Sequence, residues 1–163
     1  MTEPIIRMYL ELDDPAGLRP ARPPRVGDVE IARVQPPDGA LSRWFYVEVG
    51  TPYRWTDHLD RSDADWQAWA ERVETWVATV GGERAGYYEL RPHSESVEVA
   101  YFGLLAAFHG QGLGGHLLTH ALRRGLELAP RVWLHTNTQD GPAALPNYLA
   151  RGLREFRRER LSN

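Results

Sequence analysis

The chain has 163 residues and a mass of 18.5 kDa, and 42% of its residues are hydrophobic, which is enough for one compact domain with a sizeable core. Its net charge of −3 does not favour a nucleic-acid-binding or a membrane-binding protein. All 19 basic residues are arginines and there is no cysteine. This composition excludes lysine Schiff bases, phosphate-loop lysines, thiolate metal sites and cysteine nucleophiles.

The N-terminal segment contains no signal-peptide core, because Arg7 and Glu11 interrupt its short apolar run. No later apolar run is long enough to span a bilayer. The sequence therefore predicts a cytoplasmic protein with one domain over residues 1–163. Residues 1–37 are divided by prolines, and we expect them to form an irregular N-terminal extension with short strands at 5–12 and 29–34.

Two helices are predicted after this extension. Apolar residues recur at helical spacing from Leu41 to Val49, and Gly50 is a plausible cap, although a strand over residues 44–49 is the alternative. A second helical pattern runs from Trp66 to Val73, with Ser62 or Asp63 as its N-cap.

Three strands follow the helices. Residues 76–80 and 84–90 are strand-like and flank Gly81-Gly82, which predicts a hairpin. Residues 96–105 first alternate between apolar and polar and then become wholly apolar. We interpret this change as the passage of a third strand from a half-covered to a buried position.

The last part of the chain alternates between helix and strand. A glycine-rich turn at 110–115 opens an amphipathic helix that ends before Pro130, and a strand at 131–136, a short helix at 142–151 and a strand at 153–160 follow. The whole order predicts an α/β fold, of the mixed α+β kind, in which a mostly antiparallel central sheet has helices on both faces.

The glycine-rich turn indicates an anion site. It places four glycines between the end of a strand and the start of a helix, where glycine permits positive φ and a close approach of the backbone to a ligand. The free N–H groups and the positive dipole end of the helix favour a phosphate there. A purely structural turn is the alternative.

Three kinds of phosphate-binding loop could account for this turn. A Walker loop needs a lysine, which the chain lacks. Gly110-x-Gly112-x-x-Gly115 matches the dinucleotide fingerprint, but only about fifty residues follow it and the preceding strands resemble hairpins rather than βαβ units. The string His109-Gly-Gln-Gly112-Leu-Gly114 resembles the signature of the GNAT acetyltransferase superfamily, with His109 in place of the usual Gln or Arg.

The resemblance to the GNAT superfamily covers roughly residues 40–160, with the elements in the family's order. The segment from Asn137 to Leu153 is similar to the family's second motif, in which an alanine and a tyrosine on a short helix precede Gly-Phe. Leu153 stands where Phe is usual. The asparagine often found seven residues before that tyrosine falls on Gly141, so its cofactor contact is absent or supplied by Asn137 or Asp140.

The resemblance implies a GNAT-like acyl-CoA N-acyltransferase fold and direct transfer of an acetyl group from acetyl-CoA to an amine. Glu98 matches the position of a glutamate that accepts the amine proton in some members, and Glu89 on the neighbouring strand is the second candidate base. Tyr148 matches the tyrosine that protonates the CoA thiolate. The cofactor-binding residues that the resemblance implies are Leu104, Leu105, Ala106, His109, Gly110, Gln111, Gly112, Leu113, Gly114, Gly115 and Asn137.

The acceptor amine is not specified by the sequence. In this family the first helix pair and its connecting loop form the acceptor groove, and here Tyr53 and Trp55 would supply an aromatic wall while Asp57 would hold a cation. Small molecules and peptides both remain open as acceptors, and a homodimer is compatible with the resemblance. His116 and His120 are spaced for a metal site, but we expect no metal, because the metalloprotease glutamate is missing.

Two other functions are compatible with these residues. A non-catalytic acetyl-CoA-binding sensor or regulatory module would keep the glycine-rich turn at 110–115 but would have no working base or acid. The presence of both Glu98 and Tyr148 argues against this function. A dinucleotide-binding module is a more distant alternative.

Overall fold

The computed structural model describes residues 3–161 and contains seven strands and four helices of more than one turn. The strands are β1 Ile5–Leu12, β2 Val29–Arg33, β3 Glu74–Val80, β4 Glu83–Pro92, β5 Ser96–Leu104, β6 Arg131–Asn137 and β7 Arg154–Leu161. The helices are α1 Gly39–Gly50, α2 Asp63–Glu71, α3 Leu113–Leu128 and α4 Ala144–Ala150. Every predicted helix and strand is present, with bounds close to those expected.

The strands form one sheet in the order β2-β3-β4-β5-β6-β1-β7. All neighbours pair antiparallel except β5 and β6, which are parallel, so the predicted mixed, mostly antiparallel sheet is confirmed. β1 is an inner strand between β6 and β7, and the irregular parts of the N-terminal segment are residues 13–28 and 34–37.

Helices α1 and α2 cover one face of the sheet, where the ring of Phe45 stacks on that of Tyr87 with centroids 4.8 Å apart. Asp38 caps α1 by accepting a hydrogen bond from the N–H of Leu41, so residues 44–49 are helical and the alternative strand is excluded. Ser62 is the N-cap of α2 and forms a capping box with Asp65.

Helix α3 covers the opposite face of the sheet. Its apolar stripe, which includes Leu117, Leu118 and Leu122, is fully buried, and its outer face carries Arg123 and Glu127. Helices on both faces of the sheet are thereby confirmed. Within residues 3–161, none of the helices combines the length and the apolar character needed to cross a membrane.

β5 and β6 separate after a short stretch of pairing. Only residues 96–98 of β5 pair with residues 131–133 of β6, and the two strands diverge beyond that point. The interpretation that the apolar end of β5 is buried is therefore wrong, because residues 100–104 are half-buried along the opening between the strands. Residues 100–102 line this opening and also pack against the neighbouring core clusters.

Candidate functional site

A cleft of about 700 Å³ occupies the opening between β5 and β6. The loop between α1 and α2 closes one end of it, and the segment from β6 to α4 lies opposite β5. The cleft brings together seven of the residues that the sequence singled out, namely Tyr53, Trp55, Asp57, Glu98, Asn137, Asp140 and Tyr148. Glu89 does not reach this cleft.

The glycine-rich turn at residues 110–115, called the glycine loop from here on, lies between β5 and α3. Gly110 and Gly112 have φ values of +78° and +79°, which explains why glycine occupies both positions. Gly112 is the N-cap of α3, and no side chain caps the helix. The first N–H groups of a 16-residue helix are therefore without intrahelical partners at an exposed position, as an anion site requires.

Residues 13–28 cross over this loop and hold it in place. The N–H of Arg25 donates to the carbonyl oxygen of Gln111 at 2.8 Å, and its Nη2 donates to the carbonyl oxygen of Gly110 at 2.7 Å. The N–H of Ala21 donates to Thr119 Oγ1 of α3 at 3.0 Å. The two bonds from Arg25 therefore hold the carbonyl oxygens of Gly110 and Gln111 toward this arginine. Sequence reasoning did not identify Arg25, because its contacts are made far along the chain.

Arg151 lies at the same helix end. A Cβ built on Gly115 would be 2.5 Å from Arg151 Nη1, and Arg151 Nε is buried without a hydrogen-bond partner. A guanidinium beside the positive end of a helix dipole is unfavourable unless an anion lies nearby. Arg151 and the loop therefore fit a ligand with phosphate groups, which the local sequence pattern around Arg151 does not indicate.

The end of β5 presents backbone groups to the cleft. The N–H of Leu105 donates to Ala85 at 2.8 Å, and Leu104 is opposite Gly86 in the register of β4 and β5. Bonded and non-bonded pairs alternate in an antiparallel ladder, so the N–H of Leu104 points away from β4, toward the opening. His109 Nε2 is hydrogen-bonded to the Leu104 carbonyl at 3.2 Å and thereby ties the loop to this strand end.

Glu98 lines the cleft near the point where β5 and β6 begin to diverge. Its Oε1 is 3.0 Å from His93 Nε2, and its side chain is 13% exposed. The other carboxylate oxygen has no side-chain partner among residues 3–161. Glu98 is therefore oriented by one partner and still has capacity to accept a proton.

Tyr148 lies on α4 and is buried among apolar residues at the edge of the cleft. Its ring meets that of Phe102 edge-on, with centroids 6.2 Å apart. Burial, together with the charge of Asp140, raises the pKa of Tyr148 above its ordinary value. The phenol consequently stays protonated and can act as a proton donor.

Glu89 is buried on the face of the sheet covered by α1 and α2 and is 1% exposed. Ser42 Oγ and Thr75 Oγ1 donate to its Oε2 at 2.6 and 2.7 Å, and Trp69 Nε1 donates to its Oε1 at 2.8 Å. Both carboxylate oxygens are occupied by the protein itself. This environment gives Glu89 no access to an acceptor amine and makes it part of the packing between the helices and the sheet.

Replacing Glu89 by Gln should alter the pH dependence of stability. Burial raises the pKa of Glu89 above its ordinary value near 4.5, so above that value the folded state keeps a proton that the unfolded state releases. The free energy of unfolding of the wild type should then fall as the pH rises from about 4.5 to the raised pKa, by about 1.4 kcal/mol for each pH unit of that interval. Glu89→Gln can keep three hydrogen bonds, with its oxygen accepting from Trp69 Nε1 and its NH₂ donating to Ser42 Oγ and Thr75 Oγ1, but it cannot ionise. Urea denaturation of both proteins across this range measures the difference, and parallel pH profiles would contradict the expectation.

Tyr53 and Trp55 have different positions at the closed end of the cleft. Trp55 packs on Tyr46 and Tyr101, with ring centroids 5.8 and 5.6 Å away, so it is part of the wall. Tyr53 crosses to the opposite side, where a Cβ on Gly141 would be 2.8 Å from its Cε1. This contact explains the glycine at a position where the family resemblance leads one to expect asparagine.

Asn137 and Asp140 lie next to each other in the cleft wall. Asp140 Oδ2 accepts hydrogen bonds from the N–H of Asn137 at 3.1 Å and from the hydroxyl of Thr136. The Oδ1 of Asn137 accepts from the N–H of Gln139 at 2.8 Å. The acidic side chain therefore orders this turn, while Asn137 keeps its amide NH₂ available to a ligand.

The paired histidines of α3 are not assembled into a metal centre. His120 Nδ1 is 2.7 Å from the hydroxyl of Tyr88, on the face of α3 that packs on β3 and β4. Across residues 3–161, no three His, Asp or Glu side chains come close enough together to hold a metal ion.

Comparison with known proteins connects this geometry to a family. The model of the Acetyltransferase (GNAT) family matches residues 41–153, which is more than half of the chain. No curated protein sequence matches the chain significantly.

Several solved structures share the fold at low sequence identity. A GCN5-related N-acetyltransferase from Sphaerobacter thermophilus superposes with a TM-score of 0.72 at 13% identity, covering 98% of this chain and 51% of that one. A GCN5-related N-acetyltransferase from Kribbella flavida gives 0.64 at 19% identity, with 93% and 56% covered. A tandem GNAT protein from the clavulanic acid biosynthesis pathway gives 0.63 at 16% identity, with 98% and 53% covered.

The chain spans about half of the length of each of these structures. The family match includes α1, α2, the strands from β3 to β6, the glycine loop and α4. It thus contains the diverging strands and Tyr148, which contribute to the cleft, and the glycine loop that follows β5. On this match and this fold, the chain belongs to the GNAT acetyltransferase family.

Proposed function

We propose that the chain transfers an acetyl group directly from acetyl-CoA to a primary amine. The observation that supports this most strongly is the cleft between β5 and β6, whose lining includes Glu98 and Tyr148, together with the glycine loop that follows the end of β5. The site thus combines a proton acceptor and a proton donor in the cleft with a candidate phosphate site beyond the end of the same strand. An enzyme that transfers an acyl group from a thioester with a phosphate-containing carrier requires these three parts.

The residues present suit acetyl-CoA as the donor. The loop from His109 to Gly115 would hold its pyrophosphate through backbone N–H groups, with Arg25 and Arg151 adding positive charge. The N–H of Leu104 points into the opening and would bind the thioester carbonyl oxygen. Acetyl-CoA supplies an activated acetyl group and a thiolate leaving group.

Two side chains move protons in the proposed reaction. Glu98 accepts a proton from the amine, whose nitrogen forms the new bond to the carbonyl carbon as the carbon–sulfur bond breaks. Tyr148 donates its phenolic proton to the departing sulfur and is reprotonated from water. The chain has no cysteine that could accept the acetyl group, which supports direct transfer without an acyl-thiol enzyme intermediate.

Ligand-dependent thermal unfolding tests the donor, because a ligand that binds only the folded state raises the unfolding temperature. Acetyl-CoA and CoA should stabilise the protein, whereas NAD and ATP should not. Release of free thiol in the presence of amines would then test catalysis. Binding of CoA without turnover on any amine would identify the non-catalytic sensor, and stabilisation by NAD alone would overturn the assignment of the loop.

Glu98→Gln should lower kcat roughly 10-fold with little change in the affinity for acetyl-CoA. This is less than the 10²–10⁴-fold typical of a general base, because His58 also lines the cleft and can accept the proton. Burial and the charge of Arg61 lower the pKa of His58, which keeps its imidazole neutral near pH 7. Steady-state thiol-release kinetics measure the change.

Glu95→Gln is the matched control for the Glu98 variant. Glu95 is an exposed carboxylate just before β5 and does not line the cleft. Its replacement should leave kcat unchanged. Equal kcat values for Glu98→Gln and the wild type would show that Glu98 is not the base and that its role is limited to the contact with His93.

The proposal retains the expectations of a cytoplasmic location and of one catalytic domain over residues 1–163. Cell fractionation tests the first, and the activity of the isolated 163-residue chain tests the second.

A further inference from the structure

Arg61 occupies the closed end of the cleft, between α1 and α2. Its guanidinium carbon is 4.8 Å from the centroid of the Trp66 ring and 5.1 Å from that of Trp69. Indole faces attract cations, and two of them fix the position of one guanidinium. The head group of Arg61 is therefore positioned before any ligand binds.

This arrangement changes what the aromatic end of the cleft can recognise. The indole faces of Trp66 and Trp69 are already covered by a cation of the chain itself. They are not free to bind the ammonium group of a substrate. The group presented at this end is instead a planar guanidinium, which matches a carboxylate through two parallel hydrogen bonds.

The arginines at this end lack acidic partners. Within residues 3–161, no carboxylate oxygen lies within 4 Å of a side-chain nitrogen of Arg54, Arg61 or Arg91, all of which line the cleft. Arg61 Nη1 is also buried without a hydrogen-bond partner. A buried charged donor without a partner is costly, so this nitrogen favours the binding of an anionic group.

The nearby acids are mostly engaged elsewhere. Glu98 is paired with His93, Asp140 holds the turn after β6, and Glu89 is saturated by three donors beneath Arg61. Asp57 is the remaining acid of the lining, against the three arginines Arg54, Arg61 and Arg91. The acceptor end is therefore positive in balance, which favours an anionic group over the cation that Asp57 was expected to hold.

We propose that the acceptor is a small amine that carries a carboxylate, such as an amino acid, and that Arg61 binds this carboxylate. Arg91, whose guanidinium carbon is 5.7 Å from the Trp69 ring, adds positive charge at the same end. With its carboxylate on Arg61, the acceptor extends along the cleft that also contains Glu98, the proposed base. The proposal rests on the proposed acetyl transfer and narrows it to one class of acceptor.

Matched pairs of acceptors test this directly. Acidic, basic, aliphatic and aromatic amino acids are each compared with the corresponding carboxamide, by thiol release and by titration calorimetry of the CoA-loaded protein with the N-acetylated product. The wild type should prefer the carboxylate member of at least one pair. Arg61→Gln should lower kcat/KM and product affinity for that carboxylate roughly 10- to 100-fold. For the carboxamide, both quantities should change by less than about 3-fold.

The Arg61 variant needs controls, because Arg61 also packs on two tryptophans. Arg84→Gln removes a guanidinium whose carbon is 4.7 Å from the centroid of the Trp44 ring, a similar contact outside the cleft. This variant should leave kcat/KM and product affinity unchanged for both the carboxylate and the carboxamide. Arg61→Lys keeps the charge but not the paired donors, and should recover part of the carboxylate preference. Arg91→Gln should weaken the carboxylate acceptor less than Arg61→Gln does.

Each outcome separates this inference from the catalytic proposal. Product binding that prefers the carboxylate and depends on Arg61, without turnover, would support the site while rejecting catalysis. Turnover or binding that is equal for carboxylate and carboxamide would overturn the carboxylate site while leaving acetyl transfer intact. Failure of the CoA-loaded protein to bind any member of the panel would overturn it as well.

Discussion

Gly112→Asp should abolish the binding of acetyl-CoA and CoA while the protein remains folded. Gly112 is the N-cap residue of α3 and supplies no capping side chain, and the substitution places a carboxylate where the loop would receive phosphate groups. A Cβ at this position meets only ordinary contacts, the nearest being Pro24 Cα at 3.5 Å. The left-handed backbone costs a non-glycine residue about 1–2 kcal/mol, which a folded domain tolerates.

Thermal unfolding with and without CoA measures this effect, since the ligand-induced rise in the unfolding temperature should disappear. Gly82→Asp provides the control. Gly82 has a φ of +82°, close to that of Gly112, but it lies in the turn between β3 and β4, and a Cβ there meets nothing within 4 Å. It should show the same backbone strain with normal CoA stabilisation. Normal stabilisation of folded Gly112→Asp would remove the loop from the phosphate site.

The local pattern predicted the elements well because each depends on short-range chemistry. The leucine spacing after the glycine turn defines α3, and Ser62 with Asp65 defines the start of α2. The order of the strands in the sheet, in contrast, could not be predicted from local patterns. Nothing local in residues 5–12 indicates that β1 lies between β6 and β7, since that pairing joins residues more than a hundred positions apart.

The apolar end of β5 shows the limit of reading burial from composition. An apolar run predicts protection from water, but it does not say whether the core or a ligand provides that protection. The divergence of β5 from β6 makes residues 100–102 a cleft wall, and no single-strand pattern contains that information. The choice between the two candidate bases depends on the same point, because Glu89 and Glu98 have similar sequence surroundings but only Glu98 lines the cleft.

The arginines of the site were missed for a related reason. Arg25, Arg61 and Arg151 each gain their role from a contact that a sequence pattern does not show, with the loop, with two indole faces and with Gly115. A chain whose basic residues are all arginines gives no local reason to separate these three from the solvated ones. The unpaired nitrogens of Arg61 and Arg151 and the bond from Arg25 to Gly110 distinguish these residues only once the chain has folded.

Tyr148→Phe should lower kcat roughly 10²- to 10³-fold while changing the affinity for acetyl-CoA less than about 3-fold. The phenol lines the cleft and is protonated at neutral pH, so it can give its proton to the strongly basic sulfur as the carbon–sulfur bond breaks. Removing the hydroxyl leaves the ring, its edge-on contact with Phe102 and the packing of α4 in place. The loss should therefore appear in turnover and not in binding or folding, as measured by thiol-release kinetics and CoA-dependent thermal unfolding.

Tyr87→Phe separates this acid role from the general effect of deleting a buried hydroxyl. Tyr87 is fully buried against Phe45, its hydroxyl has no hydrogen-bond partner among residues 3–161, and it does not line the cleft. Its replacement should leave kcat unchanged, since no reacting atom loses a proton donor. A wild-type rate for Tyr148→Phe would make Tyr148 a packing residue like Tyr87. Water reaching the sulfur through the opening between β5 and β6 would then have to supply the proton for the thiolate.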